Sequence, residues 1–270
     1  MRRGVMVAVA LGAAALGLIG ATAAWAGGAI GLAPHRAVYS MNLASTHAGS
    51  GIAGATGTMS YEFADSCDGW IIENRIAITY AYTEGGEAAT ATDFLTWESK
   101  DGLRYRFRLR NSRDGEVTDE IEGTAELKGK GLGGTAKFTR PEAMSMALPK
   151  GTLFPTEHTV HLMDAARGGS KTFLRVVFDG SDAEGPYDVN AVIGLPRAEP
   201  ANASSPLLDS PSWPMRLAFF PLKSEESTPD FEMALDYHGN GVAQHILQSF
   251  KNFSLVGRLK SVEALPRKGC

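Results

Sequence analysis

The chain has 270 residues, of which 44% are hydrophobic and 21% charged, and a formal net charge of −4. This length suits one large domain or two small ones. The acidic balance argues against nucleic acid as a partner and against bulk attraction to anionic lipid, because both need a basic protein.

Residues 1–26 have the three parts of a secretion signal. Two N-terminal arginines precede an uncharged apolar run at 5–19, and Ala-Trp-Ala at 24–26 gives the small-x-small pattern of a cleavage site. The apolar run could also just reach the length of a membrane span, but the cleavage pattern favours removal. We therefore expect a mature chain, residues 27–270, that is soluble outside the cytoplasm, with 24 basic and 30 acidic residues and a charge of −6.

From residue 35 onward, apolar and polar residues alternate with the period of two that is typical of β-strands. The glycine-rich stretch 49–57 is interpreted as a loop or a weakened strand. Strands are predicted over residues 35–43, 59–63, 71–83 and 90–98. The glycine-rich stretch separates the first two of these strands, and turns at 65–69 and 84–87 separate the others.

The clearest alternation is LRYRFRLR at residues 103–110, which places four arginines on one face of a strand. Four arginines on one face could bind phosphate or another anion. The next strand, residues 116–122, favours a ladder of opposite charges instead. Folding the hairpin about Arg113 sets Arg110 opposite Glu116, Arg106 opposite Glu120 and Arg104 opposite Glu122. Each pair contributes only about 0.2–1 kcal/mol, but together they neutralise the arginines, so we expect a solvated ladder.

The second half of the chain continues the strand pattern around one predicted helix. That helix covers residues 156–167, with Pro155 before it and two glycines after it. Gly239-Asn240-Gly241 predicts a hairpin turn. Further strands are predicted at 124–127, 134–139, 143–148, 172–179, 187–195, 215–220, 231–237, 242–250 and 253–264. About fourteen strands and one short helix predict an all-β, mainly antiparallel protein, in which residues 27–270 form one domain with a rolled-up sheet.

Cys67 and Cys270 are the two cysteines of the chain, and the second is its last residue. In an oxidising compartment two cysteines most simply pair with each other. A bridge over a loop of about 200 residues would stabilise the fold by roughly 5 kcal/mol in the chain-entropy model. A free thiol and an intermolecular bridge through the terminal cysteine are the alternatives.

Motifs of common enzymes do not occur in the sequence. Residues 168–172 (GGSKT) lack the last glycine of a serine-hydrolase elbow. His158 and His161 share a helix face, but no third metal ligand accompanies them, and His238 and His245 flank a turn without further support. The carboxylates Asp93, Glu98, Asp179 and Asp182 are scattered, and Trp70, Trp97 and Trp213 are expected in the core. We therefore predict no catalytic residues, no metal site, no cofactor and no enzymatic activity.

Several segments together resemble the envelope integrity protein B (EipB) family of α-proteobacterial periplasmic proteins, long catalogued as a domain of unknown function. They are APHRAVY (33–39), MSYEFADSCDGW (59–70), FLTWES (94–99), YRF (105–107), FDGSD (178–182) and the ending from SVEALP (261–266) to the terminal cysteine. The resemblance covers essentially the whole of residues 27–270.

The resemblance implies a spiral-shaped β-sheet, a disulfide between Cys67 and Cys270, and a non-enzymatic role in cell-envelope integrity and resistance to envelope stress. It also implies a functional link to a periplasmic tetratricopeptide-repeat protein. Our main hypothesis is an envelope-stability factor that acts through a protein partner or an envelope component such as lipid or peptidoglycan. The alternative is a periplasmic carrier that binds lipid or lipoprotein on the apolar concave side of the sheet.

Overall fold

The computed structural model describes residues 31–198, 205–222 and 226–268, so the predicted signal at 1–26 and Cys270 lie outside the described residues. Within these ranges the chain forms fourteen strands and one α-helix, and a short 3-10 turn at Pro206–Leu208. The elements are β1 (His35–Thr46), β2 (Ile52–Asp65), β3 (Gly69–Tyr82), β4 (Glu87–Ser99), β5 (Arg104–Arg113), β6 (Glu116–Leu127), β7 (Gly134–Arg140), β8 (Met144–Leu148), α1 (Pro155–Arg167), β9 (Thr172–Val177), β10 (Tyr187–Ile193), β11 (Ser212–Pro221), β12 (Phe231–His238), β13 (Ala243–Ser249) and β14 (Phe253–Ala264).

All fourteen strands belong to one antiparallel sheet in the order β8-β7-β6-β5-β4-β3-β2-β1-β14-β13-β12-β11-β10-β9. The first and last strands therefore pair at the centre of the sheet, with His35 opposite Ala264. The edge strands are β8 and β9, which α1 connects, and Leu153 before α1 forms a parallel bridge to Val177 of β9. The prediction of an all-β, mainly antiparallel, rolled-up sheet with one short helix is confirmed; the sheet is not closed into a barrel.

Helix α1 lies against the inner face at one end of the rolled sheet. Its Leu162, Met163 and Ala166 are buried with inward residues of β9–β14, and the Arg167 side chain donates a hydrogen bond to the Gly239 carbonyl in the β12–β13 turn at 2.7 Å. The helix ends at Arg167, Gly168 is its C-cap, and Gly169 follows with φ +80°. In the part of the chain that the structure describes, no helix is long and apolar enough to span a membrane.

Buried apolar residues form two clusters on the inner face. The larger joins β1–β3, α1 and β9–β14. The smaller joins β5–β8 with Phe154 and Phe178, and Phe107 packs edge-on against Phe138 and Phe178 at 5.3 and 5.6 Å. Such aromatic pairs add about 0.5–1.5 kcal/mol each to the energy of burial.

The predicted register of the arginine hairpin is wrong. β5 and β6 meet at a two-residue turn, Asp114-Gly115, in which both residues have positive φ, and a bulge follows between Asn111 and Ser112. Every facing partner therefore moves by four positions, which keeps the arginines on the outer face but changes the pairs to Arg104–Glu126, Arg106–Thr124, Arg108–Glu122 and Arg110–Glu120.

Two glycine-containing stretches are strand: the strand interpretation of residues 49–57 holds from Ile52 onward, and the predicted break at Gly123 is wrong. β2 begins at Ile52, inside the stretch predicted as a loop or weakened strand, and β6 continues through Gly123 instead of stopping before it. A Cβ at position 123 would lie 2.5 Å from Phe107 and 2.4 Å from the Lys137 carbonyl oxygen. Glycine is there because β5, β6 and β7 approach closely, not because the strand ends.

Candidate functional site

A cavity of about 130 Å³ lies in the interior of the rolled sheet, between β1–β3 and β12–β13. Alternate residues of these strands point into it, because side chains of a strand alternate between its two faces. A smaller cavity of about 30 Å³ continues from it towards α1 and reaches Thr156 and Thr159. The side chains that give the larger cavity its chemistry are His35, Tyr39, Tyr61, Asn74, Met233 and Tyr237.

The cavity is uncharged although it contains titratable groups. Burial raises the pKa of Tyr39 and Tyr61 well above the usual range of a phenol, and it lowers the pKa of His35. The Tyr39 hydroxyl donates to the Ala243 carbonyl oxygen at 2.8 Å. Three tyrosine rings and a neutral imidazole therefore offer a surface that is apolar with a few fixed polar atoms.

Two of these polar atoms, His35 Nε2 and Asn74 Oδ1, are buried and have no hydrogen-bond partner among the described residues. His35 Nδ1 lies 2.7 Å from the Ala33 carbonyl oxygen. In a neutral ring that contact assigns the proton to Nδ1 and leaves Nε2 as an acceptor. A buried acceptor without a partner costs roughly 1–3 kcal/mol. A ligand whose hydroxyl or amine group donates a hydrogen bond to these acceptors would remove that cost and bind more tightly.

The end of the interior opposite α1 is open and carries a rim of aromatic rings. Successive ring centroids lie 4.9–6.2 Å apart across the sheet. The ring of Phe250 is the most accessible, with 37% of its surface exposed. The aromatic rim, as we call this set, consists of Tyr80, Phe253, Phe250, Phe231, Phe219 and Tyr187.

The aromatic rim forms only one wall of this opening. Across from it, Thr90 and Thr92 of β4 and Asn111 of β5 give the opening a polar wall, and the Thr92 hydroxyl donates to Asn111 Oδ1 at 2.8 Å. The five rim side chains that lie on strands are half-buried even though they occupy inward positions, so water reaches them through the open end. An opening with one apolar and one polar wall fits an amphipathic molecule.

Glu98 closes the other end of the interior from β4. Its side chain is 2% exposed and accepts hydrogen bonds from the backbone N–H groups of Thr156 and Glu157 at 2.7 and 2.8 Å. Phe154, the residue before the helix, supplies no side-chain cap, so Glu98 satisfies the first donors of α1 from a distant strand. Burial raises the pKa of Glu98 to about 7, with the two N–H donors opposing the rise.

The histidines considered as metal ligands have other surroundings. His158 is buried and its ring centroid lies 5.5 Å from that of Phe173, whereas His161 lies beside Glu157. His238 and His245 do not form a pair: the Nδ1 atom of the first lies 2.9 Å from the Ser210 carbonyl oxygen, and that of the second 3.0 Å from Asp236. Across residues 31–198, 205–222 and 226–268, no group of three metal-ligating side chains comes together.

The tryptophans only partly follow the prediction that they pack in the core. Trp213 is buried at 5% exposure. Trp70 is half-buried and stacks on Phe63 at 4.7 Å. The prediction is wrong for Trp97, which faces outward on β4 and packs over Gly69, where there is no side chain to exclude it.

Cys67 lies in the turn between β2 and β3 with φ +69°, and its N–H donates to Asp65 Oδ1 at 2.9 Å. The C-terminal segment runs to the same end of the sheet, since Arg267 donates to the Leu32 carbonyl oxygen at 2.9 Å. The pKa of Asp65 is lowered mainly by its hydrogen bond with Lys100, with a small contribution from the charge of Arg267. Cys270, the expected partner of Cys67, lies outside the described residues.

Comparison with known proteins agrees with this architecture. The family described as EipB-like matches residues 26–266. This chain belongs to the EipB-like family. It is 31% identical over 250 residues to the cell envelope integrity protein EipB of Brucella abortus (strain 2308), covering 90% of this chain and 88% of the relative.

A solved structure resembles the EipB-like chain over nearly its full length. It is the crystal structure of a β-barrel-like protein of a domain of unknown function from Brucella abortus, with a TM-score of 0.82 and 29% identity, covering 88% of this chain and all of the other. The family resemblance predicted from the sequence segments is therefore confirmed.

The sequence contained a weak signal for the interior site. On β3, Asn74 interrupts an inward face otherwise made by Ile72, Ile76 and Ile78. A polar residue within such a face indicates a buried polar contact. The alternation could not show that Asn74, His35 and Tyr237 meet, because β3, β1 and β12 are far apart in the sequence.

Proposed function

We propose that this chain is a non-enzymatic periplasmic protein that maintains cell-envelope integrity by holding an envelope lipid in the interior of its rolled sheet. The observation that carries the proposal is the open interior, in which the aromatic rim leads to an uncharged cavity with two unpartnered acceptors. An acyl chain would lie along the rim, because burying its surface gains roughly 25 cal/mol per Å². A hydroxyl or amine of the ligand would reach His35 and Asn74.

The relative from Brucella abortus, named a cell envelope integrity protein, supports the envelope part of the proposal. The expected link to a tetratricopeptide-repeat protein remains a prediction, which crosslinking in cells would test. A carrier role and an integrity role are compatible, because a protein that binds envelope lipid can stabilise the envelope by delivering or retaining it.

The test is binding of the apolar fluorescent probe 1-N-phenylnaphthylamine by the full-length purified protein, with mass spectrometry of any co-purified lipid. Ala243 lies at the cavity and Ala77 is exposed on the outer face of β3. We expect Ala243→Phe to weaken probe binding at least about tenfold by occupying the cavity, and Ala77→Phe to leave it unchanged. Thermal melting would establish that both variants fold.

Growth of a deletion strain on detergent separates the two parts of the proposal. Complementation by Ala77→Phe but not by Ala243→Phe supports lipid binding as the mechanism. Equal complementation, or wild-type protein that binds neither probe nor lipid, would refute the interior site and leave a protein partner as the basis of envelope integrity.

A further inference from the structure

A second groove, of about 410 Å³, lies on the outer face of the sheet, away from the lipid site proposed above. It runs over β5, β6 and β7 beside Trp97 of β4. Its wall contains four cationic side chains and one carboxylate, which are Arg104, Arg106, Lys128, Lys137 and Glu126. This is a local positive surface on a chain whose formal net charge is −4.

The register explains why Arg106 is not neutralised as the sequence predicted, whereas Arg104 still faces a carboxylate, that of Glu126. Towards the hairpin turn the arginines have acidic neighbours, and Arg110 lies 3.8 Å from Glu120. Arg106 instead faces Thr124, and Thr124 faces Lys137 on the next strand. Within the described ranges, no carboxylate lies within 4.0 Å of the charged nitrogen atoms of Arg106 or Lys137.

Trp97 orders the arginines of this groove. The guanidinium carbon of Arg106 lies 4.8 Å from its ring centroid and that of Arg104 5.7 Å, which are cation–π distances. The ring is itself fixed, because its Nε1–H donates to Ser66 Oγ at 3.2 Å and its edge occupies the space above Gly69. Two guanidinium groups held against one ring lose less rotamer freedom on binding an anion than free surface arginines would.

The geometry points to a binding site for a phosphate group in this groove, held by Arg104, Arg106 and Lys137. Guanidinium groups bind phosphate oxygens through paired charge-assisted hydrogen bonds, and the Thr124 and Thr135 hydroxyls lie in the same groove as further donors. The phosphate would be either a free anion or the headgroup of a phospholipid at the membrane surface. The excess of cations over Glu126 favours an anion over a neutral ligand.

The test compares Arg106→Gln with Arg108→Gln in the full-length protein. Arg108 lies on the same outer face two residues along β5, opposite Glu122 and outside the groove, so both substitutions remove one charge from one strand. The probes are inorganic phosphate, titrated by calorimetry, and vesicles of phosphatidylcholine with or without phosphatidylglycerol. We expect Arg106→Gln to weaken binding about tenfold, which is the usual loss for one hydrogen bond to a charged group, and Arg108→Gln to change it less than about twofold.

Binding of inorganic phosphate that only Arg106→Gln weakens identifies a free-anion site. Binding only to vesicles containing phosphatidylglycerol, with the same variant pattern, identifies a headgroup site. Equal effects of the two variants would show that anions are attracted by bulk charge and not by a specific site in the groove, which would refute the proposal. Binding of neither probe would also refute it. The comparison of the two variants is independent of the interior lipid site, since neither arginine lines it.

Discussion

Removing the carboxylate of Glu98 should destabilise the fold more than its single position on β4 suggests. The Glu98→Ala variant leaves the buried N–H group of Thr156 and the part-buried N–H group of Glu157 without acceptors at the start of α1. A buried donor without an acceptor costs about 1–3 kcal/mol, and the Glu157 donor adds a smaller loss, so the free energy of unfolding should fall by about 1–4 kcal/mol. Urea unfolding monitored by tryptophan fluorescence measures this loss.

Asp93→Ala is the matched control, because Asp93 lies on the same strand with its side chain 60% exposed. Its ion pair with Arg75 lies on the surface and contributes about 0–1 kcal/mol. A loss of less than about 1 kcal/mol in Glu98→Ala would refute the reasoning, because α1 would then obtain its first hydrogen bonds from other acceptors.

The pH dependence of stability provides a second test of the role of Glu98. Because burial raises its folded pKa to about 7 from 4.5, the native state retains a proton that the unfolded chain releases. Its contribution to stability is therefore fully present below about pH 4.5 and is lost as pH rises through about 7, a change of roughly 3 kcal/mol. Glu98→Gln should remove this decline, and a difference between wild type and variant that does not change with pH would contradict the assigned pKa shift.

Two further predictions concern other buried groups. Burial, with smaller contributions from His161 and Arg175, lowers the pKa of His158 to about 4. The neutral ring therefore contributes stability that is fully present above about pH 6.5 and is lost as pH falls through about 4. In urea titrations, His158→Gln should reduce the fall in unfolding free energy at acid pH by roughly 3 kcal/mol. A variant that loses as much unfolding free energy at acid pH as the wild type would contradict the lowered pKa of His158. Cys67→Ser should lower the free energy of unfolding by up to about 5 kcal/mol by opening the proposed bridge to Cys270, and reductant should then affect wild type but not the variant. Wild-type protein whose melting is insensitive to reductant, together with no bridged peptide in a non-reducing digest, would exclude the bridge.

The local pattern of the sequence was sufficient for the elements themselves. Period-two alternation located the strands, Pro155 and the two following glycines bounded α1, and Gly239–Gly241 marked a hairpin turn. These features depend on a few adjacent residues, so they can be read without knowing the fold. Resemblance to the EipB family then identified the spiral-like sheet as a whole.

Contacts between distant segments were decided by the tertiary structure. The aromatic rim draws on β3, β10, β11, β12 and β14, and Glu98 reaches α1 from a strand more than fifty residues earlier. The Asp114–Gly115 turn and the bulge beside it set the register that leaves Arg106 without an acidic partner. Alternation fixes which face of a strand a residue occupies, but strand order and register depend on long-range pairing. That is why the sequence determined the elements of this protein, whereas only the fold decided which of their side chains meet.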